Sequence, residues 1–336
     1  MGVIILAAGQ GARMLSARQK ILHEVGGRPM IAHLFDEAAA VAGLPPVLVV
    51  GEGEAELRRL FDGRAEFVRQ PEQLGTGHAA QVAAPLLEGR CQQVLITYAD
   101  MPLLGRDSMQ RLAERQRESG APVAMLTVLG RLPSSFGRVV RGPDGRVQAI
   151  VEVAQARRRP DGDQLLAIRE QNPGLYCFEA AWLWRNLPRL PLRQARNGRE
   201  YYLTDLIGLA IEEGSAVEAV VAEDADEGLG AGDRAELALV ERAFRQRQVR
   251  RWQAAGVTVL DPDSTYIDAS VSIGRDTVIY PGSHLSGRTA VGPNCVIGPN
   301  AILRDAKLGA GCRVESAVVE AAELGDGVVI PPFSRV

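Results

Sequence analysis

A chain of 336 residues, 46% hydrophobic and 24% charged, can bury a substantial core and is long enough to divide into two domains. Its formal charge of −3 and the lack of any basic cluster interleaved with aromatics give no electrostatic footprint for nucleic acid, and no apolar run approaches the ~20 residues of a membrane span. No basic segment precedes the first apolar stretch, so no signal peptide is expected, and Cys91, Cys177, Cys295 and Cys312 lack metal-type spacing, which suits small buried thiols in a reducing cytoplasm.

The first predicted element is a buried strand at 3–6, which breaks into "LAAGQGARMLSARQK". A Walker loop would end in Gly-Lys-Ser/Thr, and a dinucleotide fingerprint would need a third glycine where Met14 stands, so both readings fail. What remains is Gly9 and Gly11, whose missing side chains let backbone N–H groups approach a phosphate, with Arg13 and Lys20 as charge partners; an ordinary tight turn is the alternative. Lys20 and Lys307 are the only lysines among 38 basic residues, and a compact ammonium retained at 20 suits a point contact to phosphate.

Further strands are predicted at 47–50, 94–98 and 123–128, with helical spacing at 29–42, 77–87 and 106–117. The alternation predicts an α/β sheet of mostly parallel strands. Ligands of such sheets sit beyond the carboxyl ends of the strands, where both 9–20 and Tyr98-Ala99-Asp100 fall. Asp100 is therefore a candidate for holding Mg²⁺, against the alternative of a turn cap before Pro102. His78 reads as a helix-start residue rather than a catalyst. Glu152 follows Ile150 and Val151 and either turns inward or is a surface carboxylate, while Asn172 before Pro173 reads as an ordinary turn residue.

Residues 233–255 form one long Arg- and Glu-rich helical stretch with a solvated face, which serves as a connector. Beyond 257, aliphatics recur every six residues at Ile267, Ile273, Ile279, Leu285, Val291 and Ile297, and after a slip at Ile302, Leu308 and Val314, then Val318, Leu324 and Ile330. A hexapeptide period marks a parallel β-helix. The expected division is a nucleotide-binding sheet domain at 1–228, a connecting helix at 229–256 and the β-helix at 257–336.

With "LAAGQGARM", Lys20, "RQPEQLGTGHA", "YADMPLL", "SFGRV", "AIVE", "NPGLY" and "GREYYLTD" in this order, the chain resembles the bacterial bifunctional N-acetylglucosamine-1-phosphate uridyltransferase/glucosamine-1-phosphate acetyltransferase family over essentially its whole length. The resemblance implies a Rossmann-like nucleotidyltransferase domain followed by a short left-handed parallel β-helix, cytoplasmic, Mg²⁺-dependent and homotrimeric through the β-helix. It implies transfer of UMP from UTP to N-acetylglucosamine 1-phosphate. Leu6, Ala7, Ala8 and Gly9 would line the nucleotide, Gln70 would read uracil, and Gly75 with Thr76 would close over the base. Gly11 belongs to the same loop, and Arg13 and Lys20 would bind the triphosphate. Tyr98, Ala99 and Asp100 would meet ribose, sugar and metal, and Gly137, Glu152 and Asn172 would hold the N-acetylglucosamine.

Four positions depart from that pattern: Gln19 replaces a proline, Ala99 a glycine, Pro173 a threonine, and Gly232 the asparagine that supplies the second metal ligand. Water or a nearby carboxylate such as Asp233 is expected to replace that ligand, and Gly232→Asn is expected to leave activity intact or to lower the Mg²⁺ requirement. The sequence closes in "PPFSRV" without counterparts of the acetyltransferase residues, so no acetyl transfer is expected. Two alternatives accompany the leading reading: another nucleotide or sugar, and a regulatory pseudoenzyme that binds nucleotide sugar.

Overall fold

The computed structural model describes residues 1–130, 135–195 and 198–336. Contacts group them into two units, Met1–His23 with Met30–Glu236, and Glu24–Pro29 with Leu237–Val336.

In the first unit the uninterrupted apolar runs become strands covered on both faces, and Val3, Ile4, Ile5, Val47, Leu48, Val49 and Val50 are fully buried. Gly2–Leu6 lies between Val47–Val50 and Gln93–Tyr98, parallel to both, with Leu6 level with Val49 and Tyr98. Glu66–Arg69 extends the sheet in parallel beyond Val47–Val50. Because the strands run outward on both sides of the first one, a crevice opens at their carboxyl ends, and residues 7–20 and 99–104 emerge beside each other there.

On the far side of Gln93–Tyr98 the sheet is mixed rather than mostly parallel. Tyr176–Glu179 inserts antiparallel between Gln93–Tyr98 and Val123–Leu129. Glu170–Asn172 and the hairpin of Gly137–Arg141 with Val147–Val151 continue antiparallel, whereas Val217–Val221 pairs in parallel with Val123–Leu129. Strands as short as Glu170–Asn172 and Tyr176–Glu179 carry too few residues to display a period, so the sequence pattern missed them.

The helices stand near their expected positions as Met30–Val41, Gly75–Val82, Arg106–Ser119 and Arg234–Ala254. The single helix expected over 77–87 is broken, and Ala84–Leu87 forms a separate turn because Pro85 has no N–H for the Gln81 carbonyl. Arg106–Ser119 stops at Gly120, whose φ of 66° is left-handed. The core gathers Ile4, Val94, Ile96, Met125, Tyr176, Phe178 and Trp182.

The second unit is a left-handed parallel β-helix of three ladders, in which each short strand pairs in register with the one three strands later. Each face sets a small buried residue, an outward residue and a buried aliphatic in succession, as in Thr277-Val278-Ile279, Cys295-Val296-Ile297 and Cys312-Arg313-Val314. One expectation is corrected: after the slip the inward residues are Leu303 and Val319, both at 0% exposure, and their neighbours Ile302 and Val318 face outward. Two adjacent aliphatics look alike in sequence, and only the pleat chooses between them. The hairpin of Glu24–Val25 with Arg28–Pro29 turns through Gly26 and Gly27, both with positive φ, and the Gly26 N–H donates to Glu241 Oε2 at 2.9 Å. Among the described residues no helix is long and apolar enough to cross a membrane.

Candidate active site

After Leu6 the chain leaves the sheet under control, since the Ala7 N–H still donates to the Val49 carbonyl at 2.8 Å. Ala7 and Ala8 are buried, whereas Gly9 is exposed and no atom lies within 4 Å of where its Cβ would stand. Gly11 has a φ of 65°, and a carbon added to it would lie 2.4 Å from Lys20 Cβ, so the loop folds tightly over the lysine stem. The short turn Ala12–Met14 is anchored by buried Met14 and leaves Arg13 exposed. Where a proline ring was expected, Gln19 donates from Nε2 to the Ala7 carbonyl at 3.4 Å, and Gln73 donates to the Ala8 carbonyl at 2.8 Å. Two amides therefore hold this loop from outside.

Lys20 Nζ is ion-paired with the carboxylate of Asp100, and the two side chains are only 17% and 22% exposed. Ala99 is buried and donates its N–H to the Leu6 carbonyl at 3.1 Å, which fixes Asp100 beyond the strand end. The structure thus joins two residues 80 positions apart. Gly232 is buried beside Arg13: a carbon added to it would lie 2.2 Å from Arg13 Nη2.

On the expected base side, buried Gln70 donates from Nε2 to the Gly75 carbonyl at 3.0 Å and lies 3.2 Å from His78 Nδ1. His78 sits in the first turn of Gly75–Val82, as expected. Thr76 is already engaged, because its Oγ1 accepts the Leu203 N–H at 2.9 Å. Carbons added to Gly75 and Gly77 would lie 2.6 Å from the Tyr201 carbonyl oxygen and 2.5 Å from Leu190 Cδ1. The motifs "LGTGHA" and "GREYYLTD", distant in sequence, are therefore two halves of one close packing contact.

On the expected sugar side, a carbon on Gly137 would lie 3.2 Å from Glu152 Oε1, so these two residues meet. Burial raises the pKa of Glu152, and the nearby charge of Arg138 opposes that rise. Asn172 is buried, donates from Nδ2 to the Tyr176 hydroxyl at 2.6 Å and accepts the Gly174 N–H at 3.2 Å. Gly174, with φ of 94°, lets the Tyr98 ring approach to 2.0 Å from the point where a Cβ would be. The Tyr98 hydroxyl is driven to a higher pKa by burial and by the Glu152 charge, and it also bonds Thr76 and Tyr176. Arg138, Tyr176 and Gln73 were not singled out from the sequence. The letters offered only an arginine beside the apolar pair of "FGRVV"; that it is buried, at 2% exposure, is decided by the fold.

Among the described residues no three His, Cys, Asp or Glu side chains group as a metal cage. Asp233, the expected substitute ligand, has its Oδ1 committed to the Glu236 N–H at 2.9 Å as the cap of Arg234–Ala254.

Residues 3–201 match the MobA-like NTP transferase domain, and residues 270–305 match the six-repeat bacterial transferase hexapeptide. The chain is 38% identical over 333 residues to the bifunctional protein GlmU of Geobacillus sp. (strain WCH70), covering 99% of this chain and 71% of that protein. It is 40% identical over 338 residues to the bifunctional protein GlmU of Pelobacter propionicus, covering all of this chain and 72% of that protein, and 40% identical over 335 residues to that of Trichlorobacter lovleyi.

Proposed function

Because the chain belongs to the family of the bifunctional GlmU proteins, we propose that this nucleotidyltransferase moves UMP from UTP to N-acetylglucosamine 1-phosphate. The observation that carries the reading is the Lys20–Asp100 pair, formed between the two segments that leave the carboxyl ends of neighbouring strands at the switch point of the sheet. We assign the transfer to residues 1–228, with 229–256 as connector and 257–336 as the assembly module of a cytoplasmic homotrimer.

In the proposed reaction an oxygen of the sugar 1-phosphate attacks the α-phosphorus of UTP, a P–O bond forms, the bond to the β-phosphate breaks, and pyrophosphate leaves. The nucleophile is already an anion at neutral pH, so no general base is required. Catalysis then reduces to positioning and charge neutralisation. The exposed N–H edge of Gly9 and Gly11 receives phosphate oxygens, Arg13 and Lys20 neutralise them, and Lys20 leaves Asp100 as the triphosphate enters. Gly75 and Gln70 face the base, while Gly137, Glu152 and Asn172 line the sugar side, with Asn172 held by Tyr176.

The donors suit a hard divalent cation such as Mg²⁺, which takes one or two protein carboxylates and completes its shell with phosphate oxygens and water. We assign Asp100 as the carboxylate that would hold it, and the bound ion would draw charge off the α- and β-phosphates. We assign no acetyl transfer to residues 257–336: their lone histidine, His284, stacks on Tyr266 with centroids 4.4 Å apart, and their lone lysine, Lys307, pairs with Glu323.

The test is pyrophosphate release with four NTPs and several sugar 1-phosphates. UTP with N-acetylglucosamine 1-phosphate is expected to be fastest. A preference for dTTP or another sugar redirects the assignment, and binding of UDP-N-acetylglucosamine without turnover under any metal replaces it with the pseudoenzyme.

A further inference from the structure

The corner at Ala231, Gly232 and Asp233 is built around a missing side chain. Ala231 donates its N–H to the Asp100 carbonyl at 3.1 Å, which ties this corner to the end of the central strand. Gly232 donates its N–H to Glu236 Oε2 at 2.8 Å, and Asp233 Oδ1 accepts the Glu236 N–H at 2.9 Å. The Glu236 carboxylate is thereby fixed in the first turn of a 21-residue helix.

A carbon placed on Gly232 would meet Arg13 Nη2 at 2.2 Å, Arg13 Cζ at 3.0 Å and Glu236 Oε2 at 2.8 Å. The guanidinium and the carboxylate both reach into the volume that a side chain at 232 would occupy. Backbone conformation does not demand glycine there, since Gly232 lies outside the left-handed region. Arg13 itself stands exposed on a short turn bounded by left-handed Gly11 and Leu15, with φ of 65° and 47°. An anchored carboxylate that shares this volume with a flexible cation biases the cation toward itself.

We propose that Glu236 is a positioning residue for the Arg13 guanidinium, and that residue 232 is glycine because the two charged heads share the volume of its absent side chain. The inference rests on the proposed function only in taking Arg13 as a phosphate-binding group. It also reverses the expectation for Gly232→Asn. The added amide pushes both heads aside, so the substitution weakens the site instead of restoring it.

The experiment is a double-mutant cycle on the full chain with Arg13→Ala and Glu236→Gln, read by pyrophosphate release, UTP titration calorimetry and thermal melting. Glu236→Gln keeps an oxygen for the Gly232 N–H and leaves the main-chain cap intact, so a purely structural role predicts no kinetic change. We expect kcat/KM to fall about tenfold in Glu236→Gln with melting unchanged, a larger fall in Arg13→Ala, and no further fall in the double variant. Gly232→Asn should resemble Glu236→Gln. A wild-type-like Glu236→Gln, or a loss of equal size in the Arg13→Ala background, overturns the proposal. So does a raised Mg²⁺ requirement with unchanged UTP affinity, which would make Glu236 a cation ligand. A wild-type chain that neither binds UTP nor releases pyrophosphate counts against the functional reading instead. The pairing is then decided by a crystal structure of Glu236→Gln, where an Arg13 guanidinium that keeps its wild-type position overturns it.

Discussion

Gly9 and Gly11 stand two residues apart in one loop, yet alanine at each should fail for different reasons. At Gly11 the cost is internal. A non-glycine residue at φ 65° pays ~1–2 kcal/mol for the left-handed conformation. Its Cβ would also stand 2.4 Å from Lys20 Cβ, a main-chain-proximal atom that cannot swing away, and such overpacking costs a further ~1–3 kcal/mol. The loop escapes this cost of about 2–5 kcal/mol by moving off Lys20, so Gly11→Ala should weaken UTP binding by at least ~30-fold and lower the melting temperature. At Gly9 no protein atom lies within 4 Å of the added methyl, and the backbone is not left-handed. Melting of Gly9→Ala should therefore match wild type or rise slightly, by the ~0.4–1 kcal/mol gained when a more restricted unfolded chain loses less entropy. Its UTP affinity should nevertheless fall about tenfold or more if a phosphate lies against that open face. The assay is calorimetric titration of UTP beside differential scanning calorimetry of each variant. Wild-type UTP affinity in Gly9→Ala would refute a phosphate at this face, and an unchanged melting temperature in Gly11→Ala would refute the packing of the loop on Lys20.

Lys20→Ala should lower turnover by at least ~10²-fold, as loss of a charge aimed at the transition state does, and Asp100→Asn should abolish metal-dependent turnover; steady-state rates within a few-fold of wild type would remove either residue from the mechanism. Glu152, whose folded-state pKa burial raises, contributes a stability that is lost as pH climbs from its ordinary value through the raised one, so Glu152→Gln should melt higher than wild type at pH 7.5 and alike near pH 4, while sugar-phosphate affinity falls. Equal melting differences at both pH values would show that Glu152 is not buried as charge. The flat ladders of the β-helix should hold a homotrimer, and light scattering that reports a monomer at high protein concentration would exclude it.

Local covalent grammar determined most of the architecture from sequence alone. Runs such as Ile4-Ile5 and Val47–Val50 can only be covered strands, and an aliphatic every six residues can only close into flat stacked faces. The loop proposed to hold phosphate was legible because Gly9, Gly11 and the retained Lys20 share one stretch between the first strand and the first long helix. What sequence could not decide was everything that depends on a distant partner. The choice of Leu303 over Ile302 for the core is set by the pleat, and the antiparallel insertion of Tyr176–Glu179 by competition among strand edges. Glu24–Pro29 joins the unit of Leu237–Val336 through the Gly26 N–H on Glu241, 215 residues away. Gly232 reads as a lost ligand in one dimension. In three dimensions its absent side chain is the volume into which Arg13 and Glu236 both reach, because volume is shared among whichever residues the fold brings together.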